Sequence, residues 1–273
     1  EFAGNIILKK ALLKSINIVS VKLMQQVGPE KVIRTARKFG IKSPLGKHLS
    51  LALGTSGLAP LEIASAYSVI ANLGIYNEPY LIQQIEDFQG NRLYEHFYQG
   101  VQQFSPDTLY PLLDMMQGVV ERGTGRVVRR MGFRHPAAGK TGTTNDFKDA
   151  WFNGFTKDLS TSVWVGFDNN DSMRTKSGKG LTGASAAAPI WVHFMQKALE
   201  GKTMVKFPVP DNIKFEMVDV ETGRLPEEFS LEKMEVAVKD DIDLSPLPIL
   251  NDELENITEV SKEPEAIIDS SSQ

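Results

Sequence analysis

Three short runs in the middle of the chain constrain its fold more than any other feature: AAGKTGTT, then AWFNGFT, then STSVWVGFD, separated only by NDFKD and KDL. Each run is rich in Thr, aromatic or β-branched residues, and each separator is turn-forming. A parallel crossover needs about a dozen residues. These separators are far shorter, so the runs must pair as antiparallel hairpins. The flanks have a different period. LKKALLKSINIVSVKLMQQVG is apolar at Leu8, Leu12, Leu13, Val19, Leu23 and Met24, close to a helical repeat. Gly28-Pro29 then punctuates, and Pro29 opens EKVIRTARKFG, which Gly40 ends. PLEIASAYSVIANLG repeats the device with Pro60 and Gly74, and its small Ala64, Ser65, Ala66 and Ala71 predict a buried helix. Ser105-Pro106 starts a helix running through Glu121, and Gly123-Thr124-Gly125 breaks it. Pro189 opens a last one, IWVHFMQKALEG, closed by Gly201. Helices, an antiparallel meander and a final helix predict an α+β fold, with an antiparallel sheet flanked by helices. NIKFEMVDVETG predicts one or two further strands around a turn at Gly223.

Composition narrows the function classes. Cysteine is absent, which excludes disulfides, a thiolate nucleophile and Cys-based metal sites. His48, His96, His135 and His193 show no ligand spacing, so no metal and no cofactor is expected. Residues 201–273 carry 7 Lys/Arg against 18 Asp/Glu, a net of −11, while 1–200 carry 23 against 16, a net of +7. The basic excess is too small for a nucleic-acid surface. No apolar run is long enough to cross a bilayer, so no membrane contact is predicted for this segment itself. The chain opens Glu1-Phe2-Ala3, without an initiator methionine or a signal peptide, and is expected to be a piece of something longer. From about Asp240 it is acidic and rich in Pro and Ser, a composition that predicts disorder over 241–273. Trp151, Trp164 and Trp191 are expected as core anchors. The Gly-Thr-Gly at 123–125 follows no strand and predicts no phosphate cradle.

Lys140-Thr141-Gly142-Thr143-Thr144 is the stretch with chemistry in it. Gly142 removes a Cβ and lets another group approach the backbone. The threonine hydroxyls can donate to a carboxylate, and Lys140 adds positive charge. Lys-Thr-Gly alone is a weak signal. Ser-x-Asn followed at long distance by Lys-Thr-Gly on a strand is much more specific, because serine acyl-enzymes carry that pair after a Ser-x-x-Lys. Here Ser15-Ile16-Asn17 stands upstream, in the helical region.

Together with SLALGTSGLAPLEIASAYSVIANLG, AAGKTGTTNDFKDAWFNGFT, VWVGFD and ASAAAPIW, these motifs give the chain a resemblance to the transpeptidase domain of class A penicillin-binding proteins, from about residue 2 to about residue 200. The resemblance implies the fold shared with serine β-lactamases: an antiparallel sheet flanked by helices plus a helical subdomain, with a cleft between them. It implies that Ser15 relays a proton in that cleft, that Asn17 binds the substrate's amide side, and that Lys140 supplies positive potential and assists the relay. It implies that Thr141 and Thr143 bind the terminal carboxylate of a D-Ala-D-Ala stem peptide or of a β-lactam. Gly142 and Thr144 complete the substrate-binding stretch, and the Thr143 N–H supplies half of an oxyanion hole. It further implies a place on the extracytoplasmic face of the bacterial membrane, anchored through an upstream segment, and a glycosyltransferase domain upstream.

One departure is large. The family's nucleophile is the serine of Ser-x-x-Lys, and no serine precedes Ser15. Ser230-Leu231-Glu232-Lys233 matches the letters but follows Lys-Thr-Gly, and Thr35-Ala36-Arg37-Lys38 lies on an exposed helix face. The expected organisation is therefore a transpeptidase domain incomplete at its N-terminus over 1–200, a small extension with strands over 201–240, and the acidic tail. The chain alone is expected to be inactive and to need the upstream part of the same protein. Two alternatives compete: a β-lactam-sensing or non-catalytic penicillin-binding module, and a serine β-lactamase. The second needs a deacylating carboxylate, yet GKHLSLALGTSGLAP holds none, and Glu62 reads as a packing or surface residue.

Overall fold

The computed structural model describes residues 4–246. The helical first part is not one helix. It divides into α1 (Leu8–Lys14) and α2 (Asn17–Val27). The break sits at Ser15, whose backbone is left-handed at φ 55° and ψ 50°. Such a conformation costs a non-glycine residue about 1–2 kcal/mol. The turn is held by Ser15 N–H to Leu12 O at 3.1 Å and Ile16 N–H to Ala11 O at 3.0 Å. Next come α3 (Pro29–Lys38) and α4 (Pro60–Ala71), both opened by proline, where a missing N–H costs nothing.

Four short strands follow that sequence periodicity did not indicate: β1 (Ile75–Tyr76), β2 (Gln84–Glu86), β3 (Arg92–Glu95) and β4 (Val101–Gln102). β1 pairs with β4 and β2 with β3, both antiparallel. β2 is exposed throughout and β3 nearly so, so no buried face imposed an alternation that could be read. Then come α5 (Pro106–Glu121) and α6 (Val127–Arg130).

The meander forms as the short separators require: β5 (Ala138–Thr143), β6 (Asp149–Phe155) and β7 (Ser160–Gly166), in that spatial order and antiparallel. Lys140 pairs with Asn153, Thr141 with Phe152 and Trp151 with Trp164. Alternation along β6 sends Phe155 and Phe152 to opposite faces. Phe155 packs with Ile70, Tyr110 and Leu113 of α4 and α5. Phe152 packs with Trp191, Val192 and Met195 of α7 (Ala188–Ala198). The sheet is thus covered by helices on both faces.

Of the three tryptophans, only Trp191 is a core anchor, fully buried and donating to Gly154 O at 3.2 Å. Trp164 is 38% exposed and donates to Asp149 Oδ1 at 2.8 Å. Trp151 is half-buried beside it, with ring centroids 6.3 Å apart. They form a cross-strand pair at the outer end of the sheet.

After α7, β8 (Ile213–Asp219) and β9 (Lys233–Lys239) make an antiparallel hairpin. The second strand does not start at the Gly223 turn. Asp219 Oδ1 accepts from Glu221 and Thr222 N–H there, and a longer connection leads to Lys233. Ile213 and Ala237 join the same cluster as Tyr110 and Leu113, so this hairpin shares its core with α5. The first residues of the acidic segment run back along the connection, with Leu225 N–H donating to Leu244 O at 2.7 Å. The rest of the predicted tail, 247–273, lies outside the described residues.

Candidate active site

Two elements distant in sequence bring the site together. α1 ends at Lys14 and places Ser15 on its left-handed turn; β5 places Lys140 on the edge of the sheet. Lys140 Nζ donates to Ser15 Oγ at 2.8 Å and to Thr141 O at 3.0 Å. Burial pulls the Lys140 ammonium down from its ordinary value of 10.5 to about 8. Near neutral pH it is a positively charged donor, yet it sits within reach of deprotonation.

Thr141 and Thr143 lie two residues apart on β5 and so share a face. Thr141 Oγ1 lies 2.7 Å from Thr124 Oγ1. Thr143 Oγ1 accepts from Gly183 N–H at 3.0 Å. Gly142 faces the Trp151 side chain, where an added Cβ would approach to 3.1 Å. Thr144 is engaged differently. Its hydroxyl accepts from Lys148 N–H and Asp149 N–H, both at 2.9 Å, and closes the β5–β6 turn. Asn17 is the exposed first residue of α2, two positions from Ser15, and its side chain makes no hydrogen bond among the described residues.

The other candidates are held apart from this cluster. Glu62 Oε1 accepts from Lys42 N–H and Ser43 N–H, both at 2.8 Å, and its other oxygen accepts from the Ser43 hydroxyl and from Ala59 N–H. It is a staple for the loop before α4. Ser230 Oγ accepts from Glu227 N–H in the C-terminal connection, and Thr35 caps back onto Lys31 O within α3.

Two contributors escaped the sequence reading. Thr124 sits in the Gly-Thr-Gly loop read there only as a helix break, and its N–H donates to Leu13 O at 3.1 Å, satisfying a carbonyl left open by the end of α1. Gly183 precedes the ASAAAPIW stretch. A Cβ there would collide with the Trp151 carbonyl and lie 2.6 Å from Gly142 O, so only glycine brings its N–H to Thr143.

The family model of the penicillin binding protein transpeptidase domain matches residues 2–196. Penicillin-binding protein 1A of Pseudomonas aeruginosa is 36% identical over 82% of this chain and 33% of its own length. Its counterpart in Neisseria lactamica is 41% identical over 78% of this chain and 27% of its own length. The chain thus spans about a third or less of the length of these relatives. Among solved structures, penicillin-binding protein 1A from Haemophilus influenzae superposes with a TM-score of 0.77 at 26% identity, covering 89% of this chain and 41% of that one. PonA1 from Mycobacterium tuberculosis in complex with penicillin V gives 0.67 at 28%, covering 77% and 61%. The sheet with its flanking helices has the fold of these transpeptidase domains, and the chain belongs to the penicillin-binding protein transpeptidase family.

Proposed function

We propose that this chain forms the downstream part of a serine-type peptidoglycan D,D-transpeptidase, which cross-links stem peptides through an acyl-enzyme and is acylated by β-lactams. The observation that carries this reading is the 2.8 Å contact between Lys140 Nζ and Ser15 Oγ, on the strand that also bears Thr141 and Thr143. In this reading Lys140 polarises Ser15, and Ser15 passes a proton between the attacking serine and the leaving amine. Thr141 and Thr143 donate to the terminal carboxylate of D-Ala-D-Ala. Thr143 N–H stabilises the tetrahedral oxyanion, a contribution of about 3 kcal/mol for one such donor. In the same reading Asn17, exposed at the start of α2, binds the substrate's amide side.

The attacking serine belongs, in this reading, to a segment upstream of residue 1. No Ser-x-x-Lys precedes Ser15, and the curated relatives are about three times longer. The enzyme works on the extracytoplasmic face of the membrane, where its substrate lies. A serine β-lactamase fits less well, because Glu62 spends both carboxylate oxygens on the 42–43 loop and Ala59. A β-lactam sensor or non-catalytic module would acylate without turning over a stem peptide.

Intact-mass measurement after incubation with a labelled penicillin tests the reading. The 1–273 chain alone should form no adduct, and the full-length protein should form one per site. Lys140→Ala in the full-length protein should slow acylation about a hundredfold or more, and Ser230→Ala should leave it unchanged. A stoichiometric adduct on the isolated chain would place the nucleophile within it and overturn the assignment.

A further inference from the structure

The two threonines read as carboxylate donors are each backed by a second group, and the two backings have the same consequence. Thr143 Oγ1 accepts from Gly183 N–H at 3.0 Å. A backbone N–H can only donate, so this bond occupies a lone pair of Thr143 and leaves its single hydrogen free. Thr141 Oγ1 lies 2.7 Å from Thr124 Oγ1. Between two hydroxyls either oxygen can donate, but only one direction leaves the Thr141 hydrogen for a ligand: Thr124 donating to Thr141. An anionic oxygen in front of Thr141 selects that direction, since a charge-assisted bond outweighs a neutral one. The chain then runs from Thr124 to Thr141 to the anion, and each bond polarises the next.

Thr124 is held in place for this. Its N–H is fixed to Leu13 O at 3.1 Å, two residues before Ser15. The glycines on either side permit the approach: a Cβ on Gly123 would lie 2.6 Å from Leu13 O, and one on Gly125 would lie 3.2 Å from Val119 O. The loop can therefore rest against the end of α1 and reach β5 with one hydroxyl.

We propose that Thr124 is a positioning residue for anion recognition, which with Gly183 aligns the hydroxyl hydrogens of Thr141 and Thr143 toward a substrate carboxylate. This rests on the carboxylate reading of β5 given above. Thr124 itself does not touch the substrate, and its effect must pass through Thr141.

The discriminating probe is a penicillin as its free acid and as its methyl ester, with acylation rates of the full-length protein followed by intact mass. Thr124→Val, which keeps shape and removes the hydroxyl, should slow the acid about fivefold, the net worth of one neutral hydrogen bond. The ester should change less than about twofold, because its neutral oxygen gains little from such a bond. Thr124→Ser should restore the acid rate. Thr141→Val, which removes the direct donor, should give a larger loss of acid-over-ester preference, and adding Thr124→Val to it should change nothing more. If the valine variant does not fold, Thr124→Ala against Thr124→Ser asks the same question, and the preference should be lost in the first and kept in the second. Equal slowing of acid and ester, or an undiminished acid rate in the variant lacking the hydroxyl, overturns the role of Thr124 alone. Wild-type protein without an adduct, or a Thr141→Val variant that keeps its acid preference, overturns the carboxylate reading and this proposal with it.

Discussion

Lys140 holds its charge against the cost of burial, and that cost has a sign that pH reveals. Its folded value is about 8, against 10.5 for the ordinary side chain. Below about 8 both folded and unfolded states are protonated, and the whole desolvation penalty weighs on the fold. Between the two values the unfolded state holds more protons, so stability rises with pH. Lys140→Met removes the charge. At pH 7 the variant should therefore unfold at a higher urea concentration than the wild type, although it gives up the bonds to Ser15 and Thr141, and the same substitution in the full-length protein should abolish acylation. Its advantage should shrink as pH rises from 8 toward 10.5; an offset equal at both ends would exclude the buried charge as the cause. This residue and Ser15 were both legible in the sequence, because each sits in a short motif of fixed spacing. Thr124 and Gly183 were not. Their bonds to Thr141 and Thr143 span 17 and 40 residues, and no local pattern signals a partner that distant. The left-handed backbone of Ser15 was also hidden, since the apolar spacing of Leu8, Leu12, Val19 and Leu23 runs across the break as if one helix continued.

Glu62 shows how one side chain fixes an element. Its carboxylate is held low, at about 2, first by the Ser43 hydroxyl, with burial next and pushing the other way, and then by the backbone N–H groups of Lys42, Ser43 and Ala59. These bonds tie the loop after α3 to the first turn of α4. A carboxylate lowered in this way contributes stability above its ordinary value of 4.5, and loses that contribution as pH falls through about 2. Glu62→Gln should cost about 1 kcal/mol at pH 7, a figure kept small by partial exposure. The urea midpoints of wild type and variant should converge as pH is lowered from 5 to 2; curves that stay parallel would assign the loss to shape instead of charge. The elements themselves were readable where proline and glycine punctuate: Pro29, Pro60 and Pro106 each open a helix at the residue expected. The meander was readable because its separators are too short for any other connection. β1 to β4 were not, because two-residue strands and an exposed hairpin bury no face to set a period.

At the scale of the molecule, the described residues pack into two apolar clusters, one on each face of the central sheet, and the segment after α7 completes one of them. Phe207, Ile213 and Ala237 lie beyond residue 196, where the family match ends, yet they pack with Tyr110, Leu113 and Phe155. The Phe207 ring meets Phe155 edge-on, with centroids 5.6 Å apart and planes at 78°. A polar tie reinforces the apolar one. Lys9 of α1, 5% exposed, donates to both oxygens of Asp114, at 2.8 and 2.6 Å, and Asp114 Oδ2 also accepts from Ala237 N–H at 3.1 Å. One carboxylate thus joins the helix that carries Ser15 to α5 and to β9. The C-terminal hairpin is therefore expected to support the site from behind, without touching it. Phe207→Ala should destabilise the protein by about 3–5 kcal/mol, the range for deleting a buried phenylalanine side chain. Phe229→Ala, at a ring 85% exposed in the connection between β8 and β9, should stay within about 0.5 kcal/mol. Chemical denaturation of the two variants decides it. Equal small losses would show that the segment after α7 only rests against the core at Phe207, and that the fold closes without this contact.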